Sequence, residues 1–275
     1  MPTVLMCDFD DTVVTVDVGA LILDRFADGV WKSYEDAYDR GEIGIEETLV
    51  REFSSVRASK KAMFDAVESR VRFRDGFERL VSAYWSSGEP LVIASYGVDF
   101  CIRRVMRRVT HGHSLRVYAP KSRLTARGVK FTFPRARFSE SSNLKDDTVR
   151  LYQDRGYMVA YVGDGQSDLS AVQKADYGFA IRGSKLFMVC RMRGIEIPEI
   201  SSFDELLPII RSGYGGATQR SPLARKRNAS HMSRERNVCS NWSRRGLHHH
   251  PEEDSPSGNW SGQPEEGRLG FLGSI

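Results

Sequence analysis

Two aspartates two residues apart, Asp8 and Asp10, follow the short apolar run Val4-Leu5-Met6-Cys7. A short apolar run reads as a buried strand, and that spacing on an extended chain turns both carboxylates to one face at the strand's carboxyl end. Open α/β sheets place their chemistry there. Two carboxylates so close repel each other and hold water, a conflict that a divalent cation removes. With a cation in place, Asp8 can attack as a nucleophile while Asp10 exchanges a proton with a leaving group. An acidic turn after a strand shows the same residues, so the pair alone leaves both readings open.

Three later segments add groups of matching chemistry. Leu91-Val92-Ile93-Ala94-Ser95 is a second buried-strand run ending in a hydroxyl, and Tyr96-Gly97 follows it. A hydroxyl beside backbone N–H groups that a glycine leaves accessible can hold a phosphate oxygen, although a plain strand-to-helix turn also explains it. Lys145 stands at the start of an expected helix running to about Arg155 and stopped by Gly156. There it can neutralise a phosphate and the Asp8 carboxylate together. Tyr157 to Val162 reads as a strand, after which Gly163-Asp164-Gly165-Gln166-Ser167-Asp168 turns into a helix. Asp164 is thereby presented as a further metal ligand between glycines, with Asp168 bracing it.

In this order the four segments resemble the signature of the haloacid dehalogenase (HAD) superfamily of phosphohydrolases, over about residues 3 to 211. The resemblance implies an α/β, Rossmann-like, mostly parallel core. It makes Asp8 the nucleophile that forms an aspartyl-phosphate and Asp10 the general acid and base. Thr12, Ser95, Tyr96, Gly97 and Lys145 surround the phosphate, with Thr12 usually fixing the turn. Asp8, Asp164 and the backbone carbonyl of Asp10 would hold Mg²⁺, with Asp168 behind them. Two positions depart from the pattern: Asp11 stands where glycine is frequent and Tyr96 where a small residue is frequent. Both narrow or charge the pocket mouth.

These residues need a scaffold, and the chain's organisation supplies one. Residues 1–15 and 88–212 read as the core, 16–87 as an inserted helical cap, and 213–275 as a low-complexity tail. Helices are expected over Asp17 to Phe26, Ser33 to Arg40, Glu46 to Val56, Lys60 to Val71 and Phe77 to Ser86. Ser59 and Asp75 serve as caps and Gly88 as a stop. Leu115 to Phe133 reads as strands or a hairpin turning at Ala126-Arg127-Gly128. A helical block between the first two motifs is the arrangement of the phosphoserine-phosphatase-like branch, where it closes over substrate and excludes water.

Within that cap, Asp17 and Arg51 are the candidate substrate-reading residues. Phosphoserine phosphatases carry a Glu at the first position and, aligned with Glu52, an Arg that clamps the substrate carboxylate. A Glu there repels a carboxylate. Asp17 together with an Arg one residue before Glu52 is similar instead to the methionine-salvage phosphatases that act on 2-hydroxy-3-keto-5-methylthiopentenyl-1-phosphate. The stretch Ala175 to Ala180 and the segments Leu186 to Gly194 and Ser202 to Glu205 resemble the end of that family. The cysteine-rich stretch of some members is absent.

The expected function is therefore a Mg²⁺-dependent phosphomonoester hydrolase of a small phosphorylated metabolite. The alternatives are phosphoserine phosphatase, a phosphotransferase of the same fold, and a non-catalytic scaffold. A scaffold has no use for Asp8, Asp10, Ser95, Lys145 and Asp164 together. The cysteines Cys7, Cys101, Cys190 and Cys239 are scattered with no metal-ligand spacing, which suits a reducing, cytoplasmic compartment. No apolar run is long enough for a signal peptide or a membrane span. Arg103, Arg104, Arg107 and Arg108 form one basic helix face, read as solvated rather than as a nucleic-acid surface. No feature specifies an oligomeric state. Residues 214–275 hold nine Lys and Arg against six Asp and Glu, so most of the chain's net +4 lies there. That tail lacks an apolar period and is expected to be disordered.

Overall fold

The computed structural model describes residues 2–111, 113 and 115–212. The expected low-complexity tail lies outside the described residues. Strand β1 (Thr3–Cys7) is followed by a tight loop and then five helices: α1 (Val18–Phe26), α2 (Trp31–Asp39), α3 (Ile45–Phe53), α4 (Lys60–Arg70) and α5 (Phe77–Ser87). The chain returns through β2 (Leu91–Ala94), α6 (Asp99–Thr110) and β3 (Arg116–Tyr118). The hairpin β4 (Lys121–Thr125) and β5 (Gly128–Thr132) comes next. It ends with α7 (Leu144–Asp154), β6 (Met158–Gly163), α8 (Leu169–Lys174), β7 (Tyr177–Ile181), α9 (Lys185–Met192), β8 (Glu199–Ile200) and α10 (Leu206–Arg211).

Six strands form one sheet in the order β3-β2-β1-β6-β7-β8, and each neighbouring pair is parallel. Parallel strands joined by helices are covered on both faces, which is why β1 and β2 read as unbroken apolar runs instead of alternating ones. Alternation survives in where the side chains go. Leu5, Cys7 and Ile93 join the core shared with α1, α5 and α6, while Val4, Met6 and Val92 join the one shared with α7, α8 and α9. The chain order reverses at β1, between β2 and β6, and that crevice is where such sheets bind ligands.

Two local expectations need correction. Strand β1 stops at Cys7, so Asp8 and Asp10 project from a loop rather than from an extended strand; Asp11 within it takes a left-handed backbone, φ 49°. Asp75 does not cap α5, because Gly76, at φ 83°, occupies that position with Asp204 packed against it. The segment Leu115 to Phe133 holds both strands and a hairpin, with the turn where it was expected: β3 joins the main sheet, and β4 and β5 pair as the hairpin, turning after Thr125. That hairpin packs on α3, where a Cβ on Gly128 would fall 2.4 Å from the Phe53 carbonyl oxygen.

Candidate active site

The loop after β1 is fixed from three sides. The Asp8 N–H donates to the Val162 carbonyl of β6 at 2.9 Å, and the Val14 N–H donates to the Phe9 carbonyl at 3.1 Å. Arg74 donates through Nε to the Thr12 carbonyl at 2.8 Å and through Nη2 to that of Asp11. With its backbone held, the loop presents its carboxyls with little freedom. The Asp8 carboxylate accepts from the Phe9 N–H at 2.7 Å and from Lys145 Nζ at 2.8 Å. The Asp10 carboxylate accepts from the Val18 N–H at 2.9 Å, which ties it to the first turn of α1.

Lys145 enters from the opposite side of the crevice. Asn143 caps α7 by accepting from the N–H groups of Lys145 and Asp146, and its amide donates to the Ser167 carbonyl at 2.9 Å. The cap thus sets the lysine and also joins its helix to the loop after β6. Lys145 is 1% exposed, and its ammonium spends its three donors on Asp8 (2.8 Å), Ser167 Oγ (2.8 Å) and Asp168 (2.7 Å). Burial alone would lower it, but Asp168 and Asp8 outweigh burial and hold it above the usual lysine range.

Asp168 accepts from Lys145 and from the Tyr161 hydroxyl (2.6 Å) on one oxygen, and from the Asp164 and Gly165 N–H groups on the other. Its acceptor positions are thereby filled, so it orders the loop that carries Asp164. Close packing here demands glycine: a Cβ on Gly163 would sit 2.4 Å from the Asp168 carboxyl carbon. Oxygens of Asp8, Asp164 and Asp168 lie within 4.8 Å of one another. Burial, Asp8 and Asp168 push Asp164 up to about 8, and burial pushes Asp8 up to about 7 against the pull of Lys145. Carboxylates crowded and desolvated in this way suit a hard cation with oxygen ligands. The Asp10 side chain stands apart from that cluster. Burial, with Asp17 and Asp8 next, raises it well above the ordinary carboxylate range, so it can carry a proton.

Ser95, Tyr96 and Gly97 follow β2 and line the same cavity of about 210 Å³ as Asp8, Asp10 and Lys145. Ser95 Oγ accepts from the Gly97 N–H at 2.9 Å. A Cβ on Gly97 would lie 2.6 Å from an Asp10 carboxylate oxygen, so only glycine fits between the serine and the acid. Two residues expected around the phosphate also brace the site. Thr12 is fully buried and donates to Asp164 at 2.8 Å, and the Tyr96 hydroxyl accepts from the Leu144 N–H at 3.0 Å, holding the start of α7.

In the helical block, Asp17 caps α1 by accepting from the Ala20 N–H at 2.8 Å, and it faces the cavity. Arg51 does not line it. It pairs with Glu47 and lies over the Tyr34 ring on the outer face of α3, while Glu52 takes the inner one. Glu35 and Tyr38 of α2 also line the cavity, and neither was picked out from the sequence. Their signal was present in the helical period: Trp31, Glu35 and Tyr38 recur at i, i+4 and i+7, one face of a helix.

Several known proteins are similar to this chain. The 2-hydroxy-3-keto-5-methylthiopentenyl-1-phosphate phosphatase of Geobacillus kaustophilus is 27% identical over 214 residues, spanning 76% of this chain and 95% of its own. The solved structure of a phospho-aspartyl intermediate analogue of phosphoserine phosphatase superposes with a TM-score of 0.59 at 17% identity, over 75% of this chain and 98% of its own. A HAD family hydrolase of Salmonella enterica gives 0.61 at 18% identity, over 75% of this chain and 71% of its own. The chain shares the fold of both solved structures. No family model matches it. Within that fold the candidate residues follow the expected order, with Asp8 and Asp10 after β1, Ser95 after β2, Lys145 on α7 and Asp164 after β6.

Proposed function

We propose that this chain is a Mg²⁺-dependent phosphomonoesterase that works through an aspartyl-phosphate on Asp8. Its physiological substrate would be a small phosphorylated metabolite of the 2-hydroxy-3-keto-5-methylthiopentenyl-1-phosphate type. The observation that carries the reading is the pairing of an ionisable Asp8, held by Lys145 at 2.8 Å, with a separately raised Asp10 in the same cavity. Two carboxyls pushed toward different protonation states by their surroundings divide into nucleophile and acid. Asp8 and Asp164 would hold the metal, with Asp168 keeping Asp164 in place. When bound, the metal would offset the negative charge of the phosphate as the carboxylate approaches.

Asp8 attacks phosphorus and the bond to the leaving oxygen breaks, while Asp10 gives that oxygen its proton. Asp10 then takes a proton from water, the water oxygen attacks phosphorus, and the bond to Asp8 breaks to release inorganic phosphate. Lys145 and the Ser95 hydroxyl, which the Gly97 N–H holds in place, would face the phosphate oxygens. Helices α1 to α4 serve as a cap that shields the intermediate from bulk water, and Asp17 orients the substrate at the hinge of that cap. A reducing cytoplasm suits the free thiols of Cys7, Cys101 and Cys190. Among the described residues no helix is long and apolar enough to cross a membrane.

Phosphate release from a panel of phosphorylated metabolites, with and without Mg²⁺, tests the proposal. The wild-type chain should hydrolyse at least one of them only with the metal, and Asp8→Asn should reduce that rate to background. Metal-independent release, or near wild-type release by Asp8→Asn, would refute it.

A further inference from the structure

Opposite the reacting groups, the cavity wall contributed by α1, α2 and α3 carries chemistry that phosphoryl transfer does not use. Glu52 is 7% exposed and lines the cavity, and among the described residues no hydrogen bond or ion pair engages its carboxyl. Its acidic neighbours are Glu35 and Asp17. Asp17 already accepts from the Ala20 N–H, and Lys185, a cation on the same wall, is paired with Asp39. The protein therefore offers Glu52 no counter-charge. Leu23, Ile45, Leu49 and Phe53 make the surrounding wall apolar. The Glu52 carboxyl opens onto the cavity and among the described residues no protein group satisfies it, which points to a partner that arrives with the ligand.

We propose that Glu52, flanked by Asp17 and Glu35, is the subsite for the substrate's leaving group. It hydrogen-bonds an uncharged hydroxyl or carbonyl oxygen on a short carbon chain and turns away leaving groups that carry a carboxylate. This deepens the phosphomonoesterase reading and rests on it. The carbon chain lies against the apolar wall. A protonated Glu52 can donate one hydrogen bond and accept another, which fits a hydroxyl or carbonyl without moving any charge out of water. Burial, with Glu35 and Asp17, raises Glu52 to about 8, consistent with a proton held at neutral pH. A carboxylate would meet the negative charge of Asp17 and Glu35 beside the neutral Glu52, in a space where water screens less than in bulk. An ammonium would have to shed its hydration against a largely apolar wall and ionise Glu52 beside two other acids, whereas a neutral oxygen requires neither.

The test compares glycerol phosphate, phosphoglycerate and phosphoethanolamine, which differ mainly in one group, with phenyl phosphate as a reference for hydrolysis itself. The wild-type chain should favour glycerol phosphate over phosphoglycerate in kcat/KM by about tenfold or more. Glu52→Gln keeps a neutral donor and should keep that order. Glu52→Leu keeps the volume but loses the hydrogen bond, and should lower kcat/KM for glycerol phosphate by about tenfold or more, measured on protein with wild-type circular dichroism. Equal use of glycerol phosphate and phosphoglycerate, or an unaltered Glu52→Leu, would overturn the subsite. A preference for phosphoethanolamine that disappears in Glu52→Gln would overturn it in favour of an ammonium site. Failure of the wild-type chain to hydrolyse even phenyl phosphate with Mg²⁺ would instead remove the phosphomonoesterase reading beneath it.

Discussion

Asp10 shows how one side chain can be held ready to give a proton. Its carboxylate accepts from the Val18 N–H, Gly97 packs against it, and burial raises its affinity for the proton. Asp10→Asn keeps the hydrogen bond to Val18 and loses only the proton. Its turnover of alkyl phosphates should fall by about 10²- to 10⁴-fold, the usual range for a positioned acid or base. Aryl phosphates, whose leaving groups need no proton, should lose much less. Equal losses on both classes in steady-state assays would remove Asp10 from the leaving-group step. At this scale the candidate reacting groups could be picked out because they are reactive types just after apolar runs or, for Lys145, at a helix start, whereas most of the contacts that brace them could not. Thr12, Tyr96, Asn143 and Arg74 act through partners far along the chain: Thr12 meets Asp164 and Arg74 meets Asp11. No local spacing announces such contacts.

Helix α3 carries the clearest lesson about elements. Ile45, Thr48, Leu49, Glu52 and Phe53 recur with helical period and face the cavity, which leaves Arg51 on the outer face. The period was readable in the sequence; a resemblance in the order of charged residues drew attention to Arg51 instead. The inward place of Glu52 has a stability signature of its own. Burial, Glu35 and Asp17 raise its folded pKa to about 8, whereas an unfolded glutamate ionises near ~4.3. The folded form therefore binds a proton that the unfolded form has released between those values, and stability drains away as pH rises from about 4.5 through about 8. Glu52→Gln has no such proton to lose. The melting temperature of Glu52→Gln minus that of wild type should grow between pH 4.5 and 8.5, and a flat difference across that span would mean Glu52 is ionised throughout. The basic face of α6 is exposed, as expected, and two of its arginines also reach the helical block. Arg104 pairs with Glu68 of α4, and Arg108 donates to the Val71 carbonyl at 3.3 Å, so these arginines bind the core to the helical block.

At the scale of the molecule, the order of strands explains why residues 137 positions apart can touch. Placing β6 beside β1 brings the Asp164 loop next to Asp8, and α7, which precedes β6, delivers Lys145 into the same crevice. Parallel order could be expected from alternating strands and helices, but it was the motif order that indicated which loops converge. All six strands of the sheet and each residue named in the cavity fall within residues 2–212. The segment beyond them holds nine Lys and Arg against six Asp and Glu, with no sustained apolar period. A segment of that composition adds little to a packed site. A chain ending at residue 212 should therefore keep the melting temperature of the full chain within a few degrees. It should also keep kcat and KM for phenyl phosphate and for the preferred metabolite. If shortening abolished hydrolysis while circular dichroism showed the fold intact, residues 213–275 would have to supply a group to the reaction. If KM alone rose, and did so less at high ionic strength, the segment's positive charge would be drawing the phosphorylated substrate toward the cavity.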